Sequence, residues 1–302
     1  MKYIAAADVG GTTIKLGIVS PSGALVESEM VGAAVGDGEK TAGLIASFVG
    51  SAKKKYKIDG IGVACAGAID KAEGIITAAD NLRIYNFPIA KALTLATGLP
   101  ARLENDANCA LNAELLFGSA AGMDNVLLVT LGTGIGGAMY LDGKQRTGSR
   151  GFGAEFGHMI LRAGGLNCSC GLNGCWELYA GASALVRRAS VLFPDMRSAR
   201  QVIERAKSDA NVAKVWEEYL EDLALGLQSL MSIFDPEAII IGGGLSNAGA
   251  FLLDGVKRHM AQSEFVKSYY GGVEVKLAEC GNNAGMLGAA ALFPEVINGG
   301  II

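Results

Sequence analysis

Short apolar runs broken by glycine turns open the chain, and longer amphipathic stretches close it. Tyr3 to Val9 is apolar and β-prone. Ile14 to Ser20 resumes the pattern after the turn at Gly10 to Thr13, which predicts a hairpin rather than a strand entering a helix. Pro21-Ser22-Gly23 marks the next turn, and Ala24 to Val31 reads as a third strand. Glu39 to Lys57 places Leu44, Ile45, Phe48 and Val49 at helical spacing. Ile58 to Ala66 is a buried strand running into a turn at Gly67 to Asp70, residues 80–88 read as irregular, and Ile89 to Thr97 is a helix stopped by Gly98 and Pro100. Ala101 to Glu104 is a strand feeding a helix that ends near Gly118.

The opening design then returns. Val126 to Leu131 and Ala138 to Leu141 are apolar strands around the turn Gly132-Thr133-Gly134-Ile135-Gly136-Gly137, which reads as a weak internal duplication. Helical periodicity follows over residues 182–192, 198–208 and 212–234. Ala238 to Ile241 is a β-branched strand before a glycine turn and a helix to about Ala261; Val273 to Leu277 is a last strand, and Asn282 to Gly285 opens a final apolar helix. The order of elements predicts an α/β protein with mixed sheets.

Composition narrows the classes. The 302 residues suffice for two domains, and a chain half hydrophobic with 19% charge buries a large core. A net charge of −4 with no basic stripe disfavours a nucleic-acid partner. The N-terminus lacks the pattern of a signal peptide, and no apolar run is long enough to span a bilayer, so no membrane partner and a cytoplasmic location are expected. In that compartment clustered cysteines favour metal over disulfides.

Chemistry gathers between Glu155 and Glu177. His158, Cys168, Cys170 and Cys175 offer one imidazole and three thiols in a glycine-rich loop, the donor set of a zinc site. Four protein ligands close such a site and make it structural. The alternative is buried free thiols, for which a loop of Asn, Ser and Gly offers little apolar cover. Glu155, His158 and Glu177 are polar groups suited to a polyol.

Other motifs admit two readings each. In D-V-G-G-T-T the backbone of Gly10 and Gly11 and the hydroxyls of Thr12 and Thr13 suit phosphate oxygens, and Asp8 suits a hydrated Mg²⁺; the same residues make a plain hairpin turn. Gly132, Thr133 and Gly134 repeat that choice. Gly243 and Gly244 would let the backbone pass under a flat ring such as adenine, or simply enter a helix. In E-N-D-A-N, Asp106 is a candidate general base and Asn105 a substrate ligand, or the pair caps the next helix.

Together D-V-G-G-T-T, E-N-D-A-N, L-G-T-G-I-G-G, G-A-E-F-G-H, C-S-C-G-L-N-G-C-W-E and I-I-G-G-G-L-S occur in an order that resembles the ROK family of repressors and sugar kinases over essentially the whole chain. The resemblance implies the actin-like, RNase H-like ATPase fold. It implies a smaller domain of residues 1–117 plus 285–302 and a larger one of 118–284 carrying the zinc loop, around a cleft for ATP, Mg²⁺ and sugar. By the same carry-over, Gly10 to Thr13 and Gly132 to Gly134 hold phosphates, Gly243 and Gly244 lie near adenosine, and Asp106 is the catalytic base. Asn105, Glu155, His158 and Glu177 are sugar ligands, with Gly67 and Asn81 at the pocket edge, and a homodimer is implied. The expected activity is ATP-dependent phosphorylation of a hexose at its 6-hydroxyl. Two rival readings are a sugar-sensing regulator, for which a winged-helix segment is expected ahead of Asp8 and is not found, and a non-catalytic sugar-binding protein. Ala66-Gly67 and residues 81–86 depart from the commoner family pattern beside the expected sugar pocket.

Overall fold

The computed structural model describes residues 1–297, so the last five residues of the expected 285–302 segment lie outside the described residues. Two compact units form. One comprises Met1–Gly122, Thr147–Gly153 and the segment from Glu279 onward; the other comprises Met123–Arg146 and Ala154–Ala278. Residues 118–122, 147–153 and 279–284, assigned from sequence to the larger domain, fall in the first unit.

The first unit begins with β1 (Tyr3–Val9), β2 (Thr13–Val19), β3 (Leu25–Gly32), α1 (Gly38–Ala52) and β4 (Ile58–Cys65). It continues with β5 (Ala68–Asp70), β6 (Ile75–Ala79), β7 (Ile84–Phe87), α2 (Ile89–Thr97), β8 (Ala101–Asn105) and α3 (Asp106–Phe117). Its main sheet runs β3-β2-β1-β4-β8: the first three strands are antiparallel, and β4 lies parallel to both β1 and β8. Buried on both faces, β1 is a nearly continuous apolar run. Alternate side chains go to separate cores. Ala5, Ala7 and Val9 join Ile45, Phe48 and Val49 of α1; Ile4 and Ala6 join Cys109, Ala113 and the closing helix Ala284–Ala290. That closing helix sits close because its partners are small. A Cβ on Gly62 would strike the Ala289 carbonyl, and one on Gly288 would strike the Cys109 carbonyl.

The second unit holds β9 (Val126–Leu131), β10 (Ile135–Leu141), β11 (Lys144–Gln145), α4 (Glu177–Ala180), α5 (Ala182–Leu192), α6 (Ala199–Ala206) and α7 (Ala210–Phe234). Then come β12 (Ala238–Gly242), α8 (Ala250–Met260), α9 (Glu264–Tyr270) and β13 (Glu274–Leu277), leaving the closing helix as α10. The sheet order β11-β10-β9-β12-β13 repeats that of the first unit, strand sense included. The duplication read from two glycine hairpins thus extends to whole sheets. Val212, Val215, Trp216, Tyr219, Leu223 and Leu227 form the buried stripe of α7, at the helical period.

Two regions depart from the sequence reading. The turn at Gly67 to Asp70 and the irregular residues 80–88 contribute β5 and β7 to a three-stranded sheet, β5-β6-β7. Backbone reversals at Arg83 (φ 52°) and Asn86 (φ 49°) break the pattern there. The other is α9, which buries none of its residues and so shows no apolar stripe to find.

Candidate active site

In the first unit the parallel strands place their chemistry at one end. Asp8 pairs in register with Ala64, and Ala64 with Glu104; Val9 pairs with Cys65, and Cys65 with Asn105. Asp8, Glu104, Asn105 and Asp106 therefore collect at the carboxyl ends of β1, β4 and β8, where open α/β sheets bind ligands. Asn105 caps α3: its Oδ1 accepts from the N–H of Ala107 (2.9 Å) and of Asn108 (3.3 Å). Its amide donates to the Gly67 carbonyl at 3.2 Å, which brings Gly67 to the same place. Asp106 Oδ1 accepts from the N–H of Ala107 at 2.9 Å. Gly67 (φ 105°) has no room for a Cβ, which would strike the Ala78 carbonyl.

The acids act on each other's neighbours. Burial pushes the Cys65 thiol up to about 12, and the negative charges of Asp106 and Asp8 add to the effect. Burial, then Glu104, Asp106 and Asp8, raise Cys109 likewise. Asp8 is paired with Lys15 (Oδ2 to Nζ 3.0 Å) and packs against Gly285 of α10. The turn itself is closed by the Gly10 N–H donating to the Thr13 carbonyl (3.0 Å), and Gly11 lies against Asn81. Lys71 sits 2.8 Å from the buried Glu104, whose other oxygen accepts from the Asn105 N–H (2.8 Å) and the Asn108 amide (3.0 Å).

In the second unit the N–H of Gly132 donates to the Gly134 carbonyl (3.1 Å). The carbonyls of Gly132 and Thr133 accept from Ala182 (2.9 Å) and Ser183 (3.2 Å) at the start of α5. Gly134 lies against the Glu177 carboxylate, with no space for a Cβ. Gly243 (φ 81°) is pressed on the backbone of Leu131. A cavity of about 620 Å³ opens beside these turns, lined by Gly132, Thr133, Ile203, Gly244, Leu245 and Asn247. It thus joins three of the five nucleotide-loop glycines and threonines predicted in this unit. The wall from α6, made by Ala199, Arg200, Ile203 and Glu204, was not anticipated; these read in the sequence only as positions on a helix.

The loop between Glu155 and Glu177 folds as a narrow ladder. A 3₁₀ turn over Phe156–His158 starts with the His158 N–H donating to the Glu155 carbonyl (3.0 Å), and three residues per turn align Glu155 with His158. Ile160 pairs with Cys175 and Asn167 with Asn173, and the Cys168 N–H donates to the Leu172 carbonyl at 2.8 Å. This brings the four predicted ligands together: their donor atoms all lie within 4.8 Å of one another. Cys170 and Cys175 sulfurs are 3.6 Å apart, and Cys168 Sγ is 3.8 Å from His158 Nδ1. A tetrahedral zinc with bonds near 2.3 Å needs donor separations of about 3.8 Å, so the cluster fits that ion. Glu177 Oε1 stands 3.4 Å from Cys168 Sγ and 3.7 Å from His158 Nδ1, at the cluster's edge.

Two sheets of the same order, each opened by a glycine hairpin, define a duplicated ATPase of the actin-like fold. A ROK glucokinase from Streptomyces griseus, solved with glucose and AMPPNP, superposes with a TM-score of 0.82 at 32% identity, covering 96% of this chain and 98% of that one. The glucokinase of Streptomyces coelicolor is 35% identical over 95% of this chain and 96% of its own. A β-glucoside kinase of Klebsiella pneumoniae is 32% identical, with 97% and 96% covered. The ROK family profile matches residues 4–296, and the chain belongs to the ROK family.

Proposed function

We propose that this protein transfers the γ-phosphoryl group of ATP to a hexose, at the 6-hydroxyl of glucose or of a close glucoside or N-acetylhexosamine. One observation carries the reading: Asp8, Asn105 and Asp106 converge at strand ends in a chain 35% identical to a glucokinase over 95% of its length. Asp106 takes the proton of the attacking hydroxyl, and Asn105, through its fixed side chain, orients the sugar with Gly67 and Asn81. Glu155, His158 and Glu177 accept further sugar hydroxyls. Gly10 to Thr13 and Gly132 to Gly134 donate N–H and hydroxyl groups to phosphates, and Gly243 and Gly244 pass beside adenosine. The ATP analogue in the Streptomyces griseus complex and the cavity beside Gly132, Thr133 and Gly244 support that assignment.

Asp8 keeps one carboxylate oxygen beyond its Lys15 pair, in a region made negative by Asp106, and this suits a hydrated Mg²⁺; the ion supplies charge neutralisation on the phosphates. His158, Cys168, Cys170 and Cys175 would hold a structural zinc. With those four ligands a zinc would keep no position for substrate, and it would supply a brace that holds His158 and Glu177 in place. A homodimer in the cytoplasm belongs to the same reading, and sedimentation velocity tests the dimer.

The deciding experiment is ADP release from ATP and Mg²⁺ across a panel of hexoses, amino sugars and β-glucosides. Release that depends on a hexose, with a 6-phosphate product by NMR, is expected. Absence of release with every sugar refutes the proposal.

A further inference from the structure

The second unit contains a charge network around one buried carboxylate that the reaction does not use directly. Asp222 lies in the middle of α7, and its side chain is only 1% exposed. One carboxylate oxygen accepts from Arg162 at 2.6 Å, and the other from Arg188 of α5. The backbone of the same residue also acts: the Asp222 carbonyl accepts from the Trp176 indole N–H at 2.9 Å. Arg162 and Trp176 belong to the two arms of the Glu155–Glu177 loop, and Trp176 sits between the ligand Cys175 and Glu177.

The contacts around these groups fix the loop rather than the core in general. Arg188 also donates to the Tyr179 carbonyl (3.2 Å), and the Tyr219 hydroxyl of α7 donates to the Ala180 carbonyl (2.9 Å), so α4 is tied down at successive residues. The Arg162 guanidinium stacks 5.1 Å from the centre of the Tyr179 ring, whose hydroxyl accepts from the Leu166 N–H at 2.8 Å. Gly174 has no room for a side chain, because the Arg162 carbonyl fills that space. Arginine 162 thus joins the His158 arm, the Cys175 arm and α7. Loss of either arginine would leave one oxygen of the buried carboxylate without its donor, so the cluster favours one arrangement.

We infer that Asp222, with Arg162 and Arg188, is a positioning clamp that sets the Cys₃His cluster and Glu177 in the geometry the sugar requires. The inference rests on the sugar-kinase and zinc reading above, and none of the three residues touches the ligand atoms themselves. A merely structural role would lower stability and the active fraction, and so apparent kcat, without separating the KM for sugar from that for ATP. A clamp instead acts on sugar affinity and metal retention, and leaves the ATP side alone.

The test measures three variants of the full chain, Asp222→Asn, Arg162→Leu and the double variant. Readouts are KM for sugar and for ATP, kcat, and the rate at which a chromogenic chelator removes zinc. Arg162→Leu leaves the Asp222–Arg188 pair intact, so it reports even where Asp222→Asn fails to fold. Expected for Arg162→Leu are a sugar KM raised severalfold, zinc release accelerated to a similar extent, and ATP KM and kcat within twofold of the parent. Asp222→Asn changes the same two quantities further, and the double variant adds less than the product of the single effects. Zinc release and sugar KM at parental values in Arg162→Leu overturn the clamp, as does a parallel loss in ATP KM and kcat. A parent protein that holds no zinc and phosphorylates no sugar instead overturns the reading beneath it.

Discussion

The hairpins β1–β2 and β9–β10 occupy the same place in two sheets of the same order, yet they carry different chemistry. In the first, Asp8 faces Lys15 across the ladder as an ion pair. In the second, the corresponding pair is Thr130 and Gly136, neutral and so close that a Cβ on Gly136 would lie 2.6 Å from the Thr130 hydroxyl oxygen. The strand beyond shows the same division. Cys65 of β4 lies in the field of two aspartates, whereas Gly242 of β12 leads into Gly243, packed on bare backbone. One copy of the motif has become a site of charge, fit for proton and metal work. The other has become a cradle of backbone groups beside a cavity, fit for a nucleotide. A duplicated scaffold fixes where ligands go, while single side chains at the strand ends decide what is done to them.

Exchanging those side chains should break the contrast most visibly in turnover. Asp106→Asn is expected to lower kcat by about 10³-fold, the scale of a lost general base, in a steady-state ADP assay. Asp8→Asn should lower kcat/KM by about 10²-fold, through mispositioned phosphates, and raise the Mg²⁺ concentration giving half-maximal rate. Cys175→Ser, or zinc stripped by chelation, should raise the sugar KM by about tenfold with ATP KM little changed. The neutral strand ends of the second unit respond differently. Gly243→Ala puts a side chain at φ 81° against Leu131, which should cost about 1–3 kcal/mol in urea unfolding and raise the KM for ATP, not for sugar.

The smallest effect concerns pH. Cys65 and Cys280 are each raised from 9 to about 12, burial being the largest cause in both. A thiol raised on folding is equally protonated in both states at neutral pH, so its stabilising contribution is complete below about 9. It declines as pH rises from about 9 towards 12, because the unfolded thiols ionise first. Thermal melts should therefore be flat from pH 7 to 8.5 in this respect and fall above pH 9. Alkylation at pH 8 should leave Cys65 and Cys109 unmodified in the mass spectrum of the folded protein.

Much of this was legible beforehand because it is local. The two hairpins announce themselves by glycine and threonine between apolar runs, and the Cys₃His cluster by ligand type within eighteen residues of chain, His158 to Cys175. Asn105 and Asp106 were read both as helix cap and as substrate groups, and the cap is formed. What escaped is either too short to show a pattern or depends on contacts distant in sequence. The β5-β6-β7 sheet is built from strands of three to five residues, interrupted by positive φ at Arg83, too short for alternation to register. Asp222 and Arg188 look like solvated helix charges until α5 and α7 pack together and bury the pair. The α6 wall of the cavity beside Gly132 and Gly244 likewise needs the tertiary fold to bring Ile203 there.

In the proposed function the charged strand ends perform the chemistry while other groups hold the sugar. Calorimetric titration of glucose, or whichever hexose the panel selects, into Asp106→Asn tests this most directly when run beside its turnover. Expected are a sugar Kd within about threefold of the parent and turnover lost. Turnover near the parental rate, or sugar binding abolished together with turnover, would contradict it.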